Sequence, residues 1–199
     1  GVIGDILKKT SSFFSDDTGQ KYRNMGIARK IGMVFYGPPG TGKTATAMLI
    51  MTELSEKYNA ICLDMTGRNL SFIRFTVTEI RKIQANPIVV FIDEVEEALK
   101  SDENGYLTFL DGSDSIDDFI FLGCTNFFDR IPKRIRERRS RIKITQEIKA
   151  LPTAVYRQYI QEKVKGISQK DLEKIAYLAE EKGLTIDELK NALIDYHIY

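Results

Sequence analysis

The sequence predicts an α/β domain, in which helices sandwich a parallel sheet, followed by a small C-terminal all-helical subdomain. Three observations carry that expectation. Uninterrupted apolar runs, Ile31-Gly-Met-Val-Phe-Tyr36, Ile88-Val-Val-Phe-Ile92 and Phe119-Ile-Phe-Leu-Gly-Cys124, are the pattern of strands covered on both faces. Segments of helical period lie between them, which implies right-handed crossovers in one sheet. After Leu151-Pro152 the pattern turns to helices alone, so the two parts are expected at residues 1–150 and 151–199.

The elements follow in order. Gly1 to Asp17 combines an Ile3-Ile6-Leu7 cluster with a Ser- and Asp-rich stretch, expected as a short opening segment and a loop. A helix is expected over 21–28, then the strand 31–36, which stops at Gly37. Ala47, Ile50, Met51 and Leu54 recur at helical spacing, predicting a helix over 44–58. A strand over 60–65 and a helix over 76–84 lead to the strand 88–92, which ends in Asp93-Glu94, and a short helix over 95–100 follows. Phe119 to Cys124 runs into Thr125-Asn126, and 141–145 supplies the last strand. The tail reads as helices over 153–165, 169–182 and 185–197, with Pro152 at the boundary and Thr153 as an N-cap. Gly166 and Gly183 stand where helix C-termini favour a positive φ.

Apolar residues make up 43% of the 199, charged residues 29%, and 29 basic residues balance 28 acidic ones, an ordinary globular composition that demands no polyanionic partner. Cys62 and Cys124 sit inside apolar runs without metal-ligand spacing and read as reduced core residues, which points to the cytoplasm or another reducing intracellular compartment. No apolar run approaches the roughly 20 residues that span a bilayer, and the first residues lack the apolar stretch of a signal peptide. The chain opens on Gly1 and not on Met, so further sequence ahead of it is expected.

Gly37-Pro-Pro-Gly-Thr-Gly-Lys43-Thr44 has the spacing of a phosphate-binding loop, with a strand before it and a helix after it. Its glycines let the backbone wrap a phosphate chain with N–H groups pointing inward, and the helix N-terminus adds positive potential. Gly37, Pro38, Pro39, Gly40, Thr41, Gly42, Lys43, Thr44 and Ala45 are therefore the expected ATP cradle, with Lys43 on the β- and γ-phosphates and Thr44 on Mg2+. Asp93 and Glu94 follow an apolar strand, where open α/β sheets bind ligands. Asp93 is expected to hold Mg2+ through water. Glu94 is expected to polarise the water that attacks the γ-phosphate, which makes the fold a P-loop NTPase and the activity ATP hydrolysis. Glu96 and Glu97 read as a solvated helix face.

These motifs, with FLGCTN and a later arginine cluster, resemble the AAA+ ATPases in the same order, and Tyr22 to Ile27 with Tyr106 to Gly112 resemble the AAA clade proper. The resemblance gives Asn126 the sensor-1 role of orienting the lytic water; capping the turn after its strand is the alternative. It also implies that Arg138 and Arg141, in a segment that includes Arg134, Arg136 and Arg139, are arginine fingers reaching the neighbouring subunit's γ-phosphate. Fingers in trans imply a homo-oligomeric ring, a hexamer in this family; a surface or nucleic-acid patch is the other reading of the cluster. The helical tail resembles the family's lid, although Ile186-Asp187 stand where the clade has Gly-Ala. The resemblance places Asp5 and Ile6 against the adenine, and core packing accounts for that pair equally.

Ser71-Phe-Ile-Arg74 occupies the region of the family's substrate-gripping pore loop, with Arg74 in place of glycine, and a shortened following helix is similar to the mitochondrial Rieske-protein translocase branch. Phe72 and Ile73 either grip substrate or pack in the core, where Phe72, Phe75 and Ile80 fit buried spacing. The function expected is an ATPase module that remodels, unfolds or disassembles a protein; the alternative is a nucleic-acid motor resembling a helicase or clamp loader.

Overall fold

Apolar and β-branched residues concentrate in five strands: β1 (Lys30–Tyr36), β2 (Ile61–Asp64), β3 (Ile88–Ile92), β4 (Phe119–Thr125) and β5 (Ile144–Glu147). The computed structural model describes residues 2–111, 116–138, 140–149 and 153–198. The sheet order is β2-β3-β4-β1-β5, and the β2–β3, β3–β4 and β4–β1 pairs are parallel. Every residue of β3 and β4 is buried, which is why both read as unbroken apolar runs. This is the expected α/β architecture.

The helices are α1 (Val2–Phe13), α2 (Asp16–Asn24), α3 (Lys43–Tyr58), α4 (Leu70–Ile83), α5 (Val95–Ser101), α6 (Glu103–Asp111), α7 (Lys133–Arg136), α8 (Thr153–Lys163), α9 (Gln169–Glu181) and α10 (Ile186–Ile198). By its contacts the chain divides into two units. One comprises Gly1–Tyr36 with Thr44–Gln146, the other Gly37–Lys43 with Glu147–Tyr199. The loop Gly37–Lys43 thus groups with the helical residues, whereas the sequence suggested it would go with the sheet. The expected boundary at Pro152 lies outside the described residues.

In the first unit, α3 turns Ala47, Ile50, Met51 and Leu54 inward at the predicted spacing. The opening segment differs from expectation: it is helical, with Ile6, Thr10, Phe13 and Phe14 buried. Thr10 belongs to that stripe because its hydroxyl donates to the Ile6 carbonyl at 2.8 Å, so a polar residue is buried with its hydrogen bond made. The Ser- and Asp-rich stretch is a helix cap: Ser15 Oγ accepts from the Thr18 N–H. Helix α4 starts at Leu70 and not at Thr76 because the Asn69 side chain caps it, accepting from the Phe72 N–H at 2.9 Å. The last strand starts at Ile144, later than expected. Here the segment before it crosses Gly32 so closely that any Cβ on Gly32 would overlap the Arg141 carbonyl oxygen. The Lys143 N–H then donates to Gly32 O at 2.9 Å.

The second unit packs Tyr156, Ile160, Leu172, Ala176, Leu189 and Leu193 from α8, α9 and α10 into one core. The Tyr156 hydroxyl donates to the Leu184 carbonyl at 2.6 Å. Gly166 and Gly183 both have a positive φ, as their positions after helices require.

Candidate active site

In the loop after β1, Gly37, Gly40 and Gly42 all have positive φ, which aims backbone groups in directions a run of L-residues would not permit. The loop curls over its own lysine. Lys43 Nζ donates to the Gly37 carbonyl at 3.0 Å and to the Pro38 carbonyl at 2.6 Å, and Thr41 Oγ1 donates to the same Pro38 carbonyl at 2.9 Å. Two of these glycines are also close approaches: a Cβ on Gly37 would overlap the Ile148 carbonyl oxygen, and one on Gly40 the Thr185 side chain.

In the sheet unit, the register pairs Ile92 of β3 with Gly123 of β4, so Asp93, Glu94 and Asn126 all follow the carboxyl ends of neighbouring strands. Asp93 is fixed on both oxygens: Thr44 Oγ1 donates to Oδ2 at 2.8 Å, and the Glu94 N–H donates to Oδ1 at 3.0 Å. Its own N–H donates to Thr66 Oγ1 at 3.0 Å. A hydroxyl and a carboxylate are hard oxygen donors suited to Mg2+, which typically takes one or two protein oxygens and the rest from phosphate and water. Among the described residues no group of three or more His, Cys, Asp or Glu could hold a metal, so a protein-only cage is not on offer there.

Glu94 stands at the start of α5 with φ of 51°, the left-handed region, and its carboxylate makes no capping bond to the helix. Helix capping, an ordinary structural use of an acidic residue at this position, therefore does not account for it. Asn126 is exposed, and the turn after β4 is closed by its neighbour, because Thr125 Oγ1 accepts from the Phe127 N–H at 2.9 Å. The capping alternative for Asn126 is thus already filled by Thr125.

The arginine segment separates into different environments. Arg138 is 67% exposed, with Nη1 3.7 Å from Asp111 Oδ2. Arg141 is only 7% exposed and is bound inside its own subunit, Nη2 to Asp111 and Nη1 to the Arg134 carbonyl. Its guanidinium is thus engaged within its own chain, in an environment different from that of Arg138. Arg134 pairs with Glu103, Arg136 with Asp129, and Lys133 with Glu137, while Arg139 lies outside the described residues. Each described basic residue of α7 thus has a carboxylate neighbour.

Other placements sort the open alternatives. Ile6 is buried in the core, so packing occupies it, and Asp5 is exposed on α1. Ile73 is fully buried at 0%, as the core-packing alternative has it, whereas Phe72 at 48% and Phe75 are exposed and do not fit that alternative. Glu96 is 3% exposed and not on a solvated face, while Glu97 is exposed. Cys124 is buried as expected of a core cysteine, whereas Cys62 is half-buried and not in the core; burial still pushes its thiol up to about 11. Among the described residues no helix is long and apolar enough to cross a membrane.

Residues 33–150 match the profile of the ATPase family associated with various cellular activities (AAA). The chain belongs to the AAA family. An AAA ATPase forming ring-shaped complexes from Bifidobacterium animalis subsp. lactis is 31% identical over 157 residues, 65% of this chain and 30% of that protein. The ATP-dependent zinc metalloprotease FtsH 2 of a Thermoanaerobacter species is 29% identical over 149 residues, covering 66% of this chain and 28% of the relative. The peroxisomal ATPase PEX6 of Dictyostelium discoideum is 34% identical over 121 residues, 51% of this chain and 10% of its own length. The chain thus spans about a third or less of these relatives.

As a member of the AAA family, the chain has further residues touching these groups that its sequence did not single out. Thr66 orients Asp93, Asp111 holds two arginines, and Thr185 abuts the phosphate loop. Asp111 stood inside a segment that marked the clade, and that was its only signal; Thr66 and Thr185 carried none, since isolated threonines are common everywhere.

Proposed function

We propose that the chain is the Mg2+-dependent ATP-hydrolysing module of a homo-oligomeric ring, six subunits by the family's habit, that remodels, unfolds or disassembles a protein. The observation that carries this reading is the Asp93-Glu94 pair: Asp93 is tied through both oxygens to Thr44 and to the Glu94 N–H, and Glu94 is left without a capping duty.

In this reading residues 37–45 bind the ATP phosphates, with Lys43 neutralising the β- and γ-oxygens. Thr44 and, through water, Asp93 would hold Mg2+, which would supply charge neutralisation at the β- and γ-phosphates. Glu94 accepts the proton of the attacking water, and the Asn126 amide orients that water. Arg138, exposed and permanently charged, is the finger offered to a neighbouring subunit; Arg141 acts through Asp111 to fix the segment that carries it. A finger offered in trans is a heterologous contact, and such contacts close into rings when the rotation allows. Relatives described as ring-forming, as a metalloprotease and as a peroxisomal ATPase support a protein substrate. The nucleic-acid alternative gains nothing from the arginine segment, whose described members sit beside carboxylates.

The test is Glu94→Gln. The amide keeps the shape and cannot take the proton, so ATP binding should persist while turnover falls at least about a hundredfold. Turnover near the parental rate would remove Glu94 as the base.

A further inference from the structure

The phosphate loop is seated on the residue that caps the last helix. Gly40, at φ of +73°, lies so close to Thr185 that a Cβ there would overlap the Thr185 Cγ2 and Cβ, with Oγ1 at 3.3 Å. Thr185 is itself rigidly held by a reciprocal capping box at the start of α10. Its Oγ1 accepts from the Glu188 N–H at 3.0 Å, and its N–H donates to Glu188 Oε2 at 2.8 Å. The hydroxyl is therefore engaged by the helix, and the methyl is the atom that meets the glycine. Behind it, Leu189 is buried in the core of the helical unit, so the cap cannot drift.

We infer that Thr185 is a positioning residue for nucleotide binding: its methyl group backs the Gly40 turn and holds the phosphate loop in its cradle conformation. This rests on the reading of Gly37–Lys43 as the ATP phosphate site. The reason is steric. A positive-φ glycine is the most permissive point of a loop, and without a wall it samples conformations that do not bind phosphate. Apparent affinity falls in proportion to the fraction of loops that are competent. The wall is apolar, so it restrains the backbone without competing for the N–H groups that phosphate needs. One side chain thus does two separable things, capping α10 through oxygen and seating the loop through carbon.

Two near-isosteric substitutions separate these roles. Thr185→Ser keeps the capping oxygen and deletes the methyl; Thr185→Val keeps the methyl and deletes the cap. ATP affinity is measured by calorimetry and thermal stability by calorimetric melting, on the parent, both variants and Lys43→Ala. Thr185→Ser should bind ATP about fourfold more weakly, the equivalent of one lost methyl contact of about 0.8 kcal/mol, with the parental Tm. Thr185→Val should melt lower through the lost cap yet bind ATP like the parent, a rescue that a merely structural role would not give. Parental affinity in Thr185→Ser overturns the inference. Equal weakening in both variants also overturns it, because the cap and not the methyl would then be responsible. If the parent itself binds no better than Lys43→Ala, the phosphate-site reading fails, and the inference with it.

Discussion

Replacing Arg138 or Arg141 singly by alanine should separate stability from turnover. Arg141→Ala deletes the buried guanidinium that joins Asp111 to the Arg134 carbonyl. Breaking a buried pair by removing one partner typically costs about 3–5 kcal/mol. Asp111 is 33% exposed and keeps Arg138 at 3.7 Å and the Ser140 hydroxyl at 3.4 Å, so the loss here should be nearer about 2 kcal/mol. For a chain of this size that lowers Tm by about 4–8 °C. Arg138→Ala removes an exposed pair worth about 0–1 kcal/mol, so its Tm should stay within about 4 °C of the parent. Its ATPase rate at saturating ATP should nevertheless fall about a thousandfold, the scale on which arginine fingers act. The assays are calorimetric melting and steady-state phosphate release, the latter well below every Tm and at concentrations where the parent's rate per subunit has levelled. Arg141→Ala should lose far less turnover than Arg138→Ala. A parental rate in Arg138→Ala, or an inactive Arg141→Ala with an unchanged Tm, would refute the division of labour between the two.

Gly32→Ala should lower the denaturant midpoint by the equivalent of at least about 2 kcal/mol, because its methyl would overlap the Arg141 carbonyl and push the strand-leading segment off β1; an unchanged midpoint would show that the crossing is looser than described. Tyr106 is fully buried with a hydroxyl that has no hydrogen-bond partner among the described residues, and burial, aided by Asp102, pushes its ionisation from 10.0 to about 12. The unfolded chain then loses that proton more readily than the folded one, so stability is complete below about pH 10 and falls as pH rises through about 12. Tyr106→Phe should melt at or above the parental temperature and flatten that alkaline decline; an equally steep decline would assign it to other groups, Cys62 first among them.

Strands were legible because burial on both faces leaves an unbroken apolar run, as in Ile88 to Ile92, and the phosphate loop because its glycine spacing has few other uses. The opening helix was not, since its buried stripe includes Thr10, whose burial depends on a hydrogen bond one turn back that composition does not reveal. Nor was the start of α4, which depends on one Asn69 cap at the head of a segment rich in aromatic and β-branched residues. At the proposed site, Thr44, Asp93, Glu94 and Asn126 could be picked out from order along the chain. The difference between Arg138 and Arg141 could not, because it is decided by Asp111, 27 residues before the nearer of them. Phe72 and Ile73 are the same lesson in miniature: one helical step puts one in the core and the other on the surface.

The backbone at Glu94 has an evolutionary corollary. Glycine or asparagine would occupy its left-handed conformation at lower free energy, and a glutamate that caps nothing gives the helix behind it little in return. A lineage selected only for thermal robustness would shed this side chain early, by a single codon change and without harm to the fold. On the proposed reading its presence marks work still being done, and sequences that carry the glycine loop but have lost this acid should be sought among descendants that bind nucleotide and no longer spend it.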